Sequence, residues 1–139
     1  MTKDILVSVT GIQFEIDEEE VIEVITSGNY YCKNGKHYIL YEERDEQQGV
    51  TKNRIKIEPN RVEMKKNGAI TTNMIFEEGK ENITYYNTGF GTLLVQVKTN
   101  SIVFLEQEDF IYVKILYSMD VNYAHVSDCR VEIKVKAKQ

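Results

Sequence analysis

The sequence predicts an all-β protein: an antiparallel meander closing into a barrel of about 8–10 strands, with a two-sheet β-sandwich as the alternative. Three observations predict it. Asn34-Gly35 stands between two β-rich runs and readily takes the positive φ angles of a tight hairpin turn. From Cys129 to Ala137 apolar and polar residues alternate, with Val131, Ile133 and Val135 on one face and Arg130, Glu132 and Lys134 on the other. No segment carries helical periodicity, and turn-forming residues recur often enough to leave mostly short connections.

Composition narrows the class. The 139 residues, 42% hydrophobic, suit one domain over 1–139, and a chain of this length buries roughly two thirds of its unfolded surface. A net charge of −5 and the lack of a basic stripe argue against nucleic-acid binding, which needs concentrated Lys and Arg. No apolar run reaches membrane-spanning length, and Met1-Thr2-Lys3-Asp4 leads directly into a strand pattern without a signal-peptide core. The expectation is a cytoplasmic protein with no membrane partner, whose Cys32 and Cys129 stay reduced.

Taken in order, Asp4 to Ile16 forms the first strand, with Ile5, Val7 and Val9 on one face. The apolar phase flips after Gly11 to Ile12, Phe14 and Ile16, which predicts a bulge or bend. Asp17 to Glu20 makes a charged turn. Strands two (Val21 to Lys33) and three (Lys36 to Arg44) flank Asn34-Gly35. A two-residue loop sets Cys32 against His37 and Tyr31 against Tyr38; a three-residue loop sets Cys32 against Lys36 and Tyr30 against Tyr38. Strands four and five meet at Pro59-Asn60, where pairing Ile57 with Val62 and Ile55 with Met64 also sets Lys56 against Glu63 and Glu58 against Arg61.

A loop over Lys66 to Gly68 places Met64 opposite Ile70. A hairpin across Gly79-Lys80 matches Phe76 with Ile83 and Met74 with Tyr85. Gly89-Phe90-Gly91 reads as a bend, since it lacks the helix and lysine of a phosphate loop. Strand eight, Thr92 to Thr99, turns at Asn100-Ser101 into strand nine, Ile102 to Leu105, which sets Val97 across from Phe104. Strand ten runs from Phe110 to Met119, and the last strand follows.

These strands carry a resemblance. The opening Ile5-Leu6-Val7-Ser8-Val9-Thr10-Gly11-Ile12-Gln13, the hairpin from Thr26-Ser27-Gly28-Asn29-Tyr30-Tyr31 to Tyr41-Glu42-Glu43, Met74-Ile75-Phe76-Glu77 and Thr88-Gly89-Phe90-Gly91 together resemble the uncharacterised bacterial YwiB-like family. The resemblance spans most of the chain and implies a calycin-like β-barrel, a domain of unknown function with no catalytic residues to carry over. The chain has no tryptophan, so the Gly-X-Trp signature of true lipocalins is absent. Ligand transport is therefore an analogy of shape.

Several residue groups bear on function. If strands alternate up and down, one barrel pole gathers Asp17, Glu18, Glu19, Glu20, Glu42, Glu43, Asp45, Glu46, Glu106, Glu108 and Asp109 against Arg44, Lys65 and Lys66. That pole reads either as a solvated rim or as a mouth for cations. Cys32, His37, His125 and Cys129 fall near the opposite pole. They form a zinc-compatible set without any short ligand spacing, so no metal and no cofactor are assigned. Cys32 beside His37 could pair a nucleophile with a base, but no orienting carboxylate or oxyanion hole is evident, and no catalytic residue is assigned.

The tyrosines offer most. Tyr30, Tyr31, Tyr38, Tyr41, Tyr85 and Tyr117 are the candidate pocket residues, because their rings suit a wall where an apolar ligand meets a few hydrogen bonds. Strands nine and ten are apolar on both faces. This leaves Val103, Leu105, Phe110, Tyr112 and Leu116 as an outer patch and suggests a homodimer through Ile102–Leu105 and Phe110–Leu116. The leading expectation is a non-enzymatic binding module for a small apolar or amphipathic ligand. The alternatives are an interaction barrel with a filled core and, third, a Cys/His enzyme.

Overall fold

Ten antiparallel strands follow one another along the chain. They are β1 (Asp4–Phe14), β2 (Glu19–Lys33), β3 (Lys36–Asp45), β4 (Gly49–Glu58), β5 (Arg61–Asn67), β6 (Thr72–Glu77), β7 (Glu81–Thr88), β8 (Gly91–Gln107), β9 (Phe110–Val121) and β10 (Ala124–Ala137). The computed structural model of the chain describes residues 4–14, 19–47, 49–68, 71–88 and 91–138, with side chains described for all of these except 12–14, 19, 20, 87 and 88. The strands form one sheet in the order β6-β5-β4-β3-β2-β1-β10-β9-β8-β7, and the end strands β6 and β7 come together, giving a nearly closed barrel rather than a sandwich.

Local chemistry sets much of the register. Asn34 and Gly35 take φ of 54° and 74°, the paired positive angles of a two-residue hairpin turn. Cys32 therefore faces His37 and Tyr31 faces Tyr38. At Pro59-Asn60 the anticipated pairs form: Ile57 with Val62, Ile55 with Met64, Lys56 with Glu63 and Glu58 with Arg61. The inward residues of β10 are Val131, Ile133 and Val135, and they join Ile5, Val7, Ile39, Ile55, Ile57, Val62, Phe76, Ile111, Val113 and Ile115 in a core with almost no solvent exposure.

Several expectations are corrected. Residues 91–107 make one strand, and the turn expected at Asn100-Ser101 is a β-bulge in the pairing of β8 with β9. The apolar phase passes from Val95, Val97 and Thr99 to Ile102 and Phe104, and one extra residue in a bulge accounts for that flip as well as a turn would. Val97 consequently faces Met119, not Phe104.

The hairpin across Gly79-Lys80 gives no ladder between β6 and β7. Gly79 N donates to Thr99 O (2.9 Å) and Thr99 N to Lys80 O (3.1 Å), so the turn is drawn onto β8. Phe76 pairs with Val62, Met74 with Met64, Ile83 with Gln96 and Tyr85 with Leu94. Met64 thus faces Met74; Ile70 lies outside the described residues. At Gly11 both ladders of β1 run through without a register shift, so the phase flip there is not a bulge. Ile16 and the side chains of Ile12 and Phe14 lie outside the described residues.

Fusing the two expected strands reverses the ends of the later ones. The turns after β2, β4, β6 and β8 share the lower end of the barrel with residues 4 and 137, which pair near the chain's two ends. The connections after β1, β3, β5, β7 and β9 share the upper end.

Candidate functional site

The wall of the barrel is split on one side. β3 pairs with β4 from His37 to Asp45, but β2 pairs with β3 only over Gly28 to Lys33. Above Gly28, β2 follows β1 alone among the described residues, and β3 continues beside β4. Gly28 marks the divergence because the two strands meet there without room for a side chain. A Cβ at this position would lie 2.6 Å from the Leu40 carbonyl oxygen, 3.2 Å from Val7 Cγ2 and 3.3 Å from Tyr41 Cβ.

The divergence opens a cleft of about 630 Å³ lined by Thr26, Ser27, Asn29, Leu40, Tyr41, Glu42, Lys52 and Asn53. Thr26 shares the inner face with Val7, its cross-strand partner, and Tyr41 shares it with Asn53. Tyr41 and Asn53 are buried, 5% and 4% exposed, so the cleft reaches the inner face of the wall. Ile22 reports the same opening. It shares a face with buried Val131 through Gly11, yet it is 59% exposed, since among the described residues no strand pairs with β2 on its β3 side at this level.

The inner wall is polar where the barrel opens. Asn53 Nδ2 donates to Glu43 Oε1 at 3.0 Å and to Thr51 O at 3.4 Å, and Lys66 Nζ lies 3.2 Å from the same Glu43 oxygen. Asn53 Oδ1 is buried without a partner among the described residues. On the rim, Glu42 and Lys52 are exposed and face each other across β3 and β4. The site thus places a balanced set of charges around one buried amide oxygen that lacks a partner among the described residues.

The candidate tyrosines divide by face. Tyr41 lines the cleft, and Tyr117 is buried in the core with its ring 4.8 Å from that of Phe76. Tyr30 points inward near the lower end. Tyr31 and Tyr38 lie outside, stacked 4.6 Å apart with Lys56 over Tyr38. Tyr85 is 67% exposed on the outer face. The six do not form one pocket. Asn53, Thr26 and Gly28 were not among the candidates, although the inward phase of Asn53, Ile55 and Ile57 along β4 marks Asn53 as a polar residue in an apolar series.

The lower end holds a second constellation. Tyr30 Oη and His37 Nδ1 are 2.6 Å apart, His37 Nε2 lies 3.1 Å from Glu106 Oε2, and the Phe104 ring is 5.8 Å from the imidazole. Residues from β2, β3 and β8 therefore meet across the barrel and plug it. Both imidazole nitrogens are engaged, which leaves neither to serve Cys32 as a base.

The four Cys/His residues separate. Asn29, near Cys32, pairs with Asp4, whereas Cys129 pairs with Gln13, nine residues farther along β1, so the two groups lie roughly 30 Å apart. The acidic pole also divides, because Glu106, Glu108 and Asp109 belong to the lower end while Glu42, Glu43, Asp45 and Glu46 belong to the upper one. Asp17 and Glu18 lie outside the described residues. The outer patch does share one face: Leu105 pairs with Tyr112, Ser101 with Leu116 and Gln107 with Phe110.

Burial leaves a mark on the phenols. Tyr41, Tyr86 and Tyr117 are held protonated above the usual range, chiefly by burial, with the Glu43 carboxylate adding to the effect at Tyr41 and the Cys129 thiol at Tyr117. Tyr30 is pushed up to about 12, first by burial and then by Cys32 and Glu106. The folded protein therefore keeps these protons at a pH where the unfolded chain, at 10.0, loses them. Their contribution to stability is whole below pH 10 and falls away as pH rises toward about 12. An absorbance titration of tyrosinate, free of tryptophan background, should show a late group of phenols ionising together with the loss of β circular dichroism. Complete ionisation with the fold intact would contradict this.

The architecture and site define an all-β, ten-stranded barrel protein with a side opening and no assigned chemistry. The chain belongs to the family described as a domain of unknown function, DUF1934, whose model matches residues 7–133. It is 36% identical over 104 residues to the uncharacterized β-barrel protein YwiB of Bacillus subtilis (strain 168), covering 74% of this chain and 72% of that protein. The crystal structure of the ywiB protein from Bacillus subtilis superposes with a TM-score of 0.83 at 28% identity, covering 99% of this chain and 93% of that one.

Proposed function

We propose that this protein is a non-enzymatic, cytoplasmic binding module whose ligand, a small amphipathic molecule, enters between β2 and β3. The observation that carries the reading is the cleft of about 630 Å³ that runs from an exposed rim to buried Tyr41 and Asn53. A volume of this order suits a small organic ligand, and apolar walls with a few fixed polar groups are the usual makeup of such sites. Here six of the eight lining residues are polar or charged and the apolar share comes from Leu40 and the Tyr41 ring, which suits an amphipathic molecule.

Native mass spectrometry of gently purified protein tests it, with the denatured mass as reference. Excess mass on the native protein, abolished in Thr26→Trp where an indole fills the cleft, is the expected result. A clean apo mass, together with no heat of binding when amphiphiles are titrated into the unaltered protein, would sink the proposal. A second reading, a homodimer through the outer face of β8 and β9, is favoured by the adjacent exposure of Val103 and Leu105, 44% and 46%. The same spectrum reports it as a doubled mass, and a monomer across the concentration series would dismiss it.

A further inference from the structure

The cleft's inner wall also selects a headgroup. Asn53 is 4% exposed, and its amide orientation follows from its neighbours. Two acceptors, Glu43 Oε1 and Thr51 O, flank one end of the amide, so that end must be the NH₂ group and the other end the oxygen. Reversing the amide would set its oxygen against the Glu43 carboxylate and the Thr51 carbonyl, two acceptors with no proton between them. The free group is therefore an acceptor, Oδ1, and it is buried without a partner among the described residues beside the cleft that Asn53 lines. A buried acceptor left unmatched is costly, so a ligand that supplies a donor gains more there than it would on an exposed surface.

Charge decides what kind of donor. The carboxylate beside Asn53, Glu43, already receives Lys66 Nζ at 3.2 Å and Asn53 Nδ2 at 3.0 Å. The rim carboxylate Glu42 faces Lys52. An incoming carboxylate would bring acceptor oxygens against Oδ1 and Glu43. An incoming ammonium would add a positive charge beside a carboxylate already neutralised by Lys66. Building on the proposed binding function, we infer that the ligand presents an uncharged hydrogen-bond donor, a hydroxyl or primary amide, to Asn53 Oδ1, with its apolar part against Leu40 and the Tyr41 ring.

Calorimetric titration of the full chain with octanol, octanamide, octylamine and octanoate tests the inference, since only the headgroup changes. Octanol and octanamide should bind about tenfold more tightly than octanoate and octylamine, the scale of one good hydrogen bond. Asn53→Leu, which keeps the branched shape and removes the acceptor, should bring all four to similar affinity by weakening the two donors. The ranking on the unaltered protein needs no variant, so it holds as a test even if Asn53→Leu fails to fold. Octanoate or octylamine binding as tightly as octanamide, or a folded Asn53→Leu with the original ranking, would overturn the inference and leave the binding function standing. Binding of none of the four would overturn both.

Discussion

Phe76→Ala is expected to lower the unfolding free energy by about 3–5 kcal/mol, the range for removing a fully buried aromatic side chain. Phe76 is 1% exposed, and its ring meets that of Tyr117 at 4.8 Å and 59°. Its position raises the cost. β6 has a hydrogen-bonded partner on one side only, β5, and it meets β7 without a backbone ladder, so side chains hold the seam. A void there cannot be closed by tightening a ladder that does not exist. Urea denaturation followed by circular dichroism measures the loss, and Phe76→Leu should recover much of it. A loss under about 1 kcal/mol for the alanine variant would mean that the seam is not packed as described.

Gly28→Ala is expected to cost about 1–3 kcal/mol, although it adds only one methyl group. That carbon would sit 2.6 Å from the Leu40 carbonyl oxygen, a backbone atom held in the ladder of β2 with β3, and tight against Val7 and Tyr41 as well. The strands must part to admit it, and they part most easily at the rung where pairing already ends. Hydrogen exchange of the amides over 28–33 should accelerate more than that of β9 and β10. Uniform exchange across the barrel, or a neutral effect on stability, would show that the junction at Gly28 is looser than these distances allow.

Local chemistry was legible wherever it acted alone. Asn34-Gly35 was legible as a turn because a side-chain amide and a glycine suit positive φ angles, but the β2–β3 register stood open between two loop lengths until the structure showed the two-residue form. At Pro59-Asn60 charge and apolar patterns agree on one pairing, and that pairing formed. Asn100-Ser101 was ambiguous in a specific way. A phase change between Val97 and Ile102 satisfies either a reversal or a bulge, and only the continuous partnership of β9 selects the bulge. That single choice exchanges the ends of every later connection, which is why the acidic pole and the Cys/His set separate.

The amino-acid sequence by itself determined the all-β class, the antiparallel meander, a turn at Asn34-Gly35, the register at Pro59-Asn60 and the inward face of β10, because alternation and turn geometry act within a few residues. Only the tertiary structure decided which strands would meet at the seam, which face each tyrosine would take and where the wall would open. Those outcomes depend on how ten strands share one closed surface. Whether Asn53 is a buried open acceptor or an ordinary solvated amide depends on Glu43 and Lys66, brought beside it from the neighbouring strands by the β3–β4 and β4–β5 ladders, and on β2 departing from β3 above Gly28.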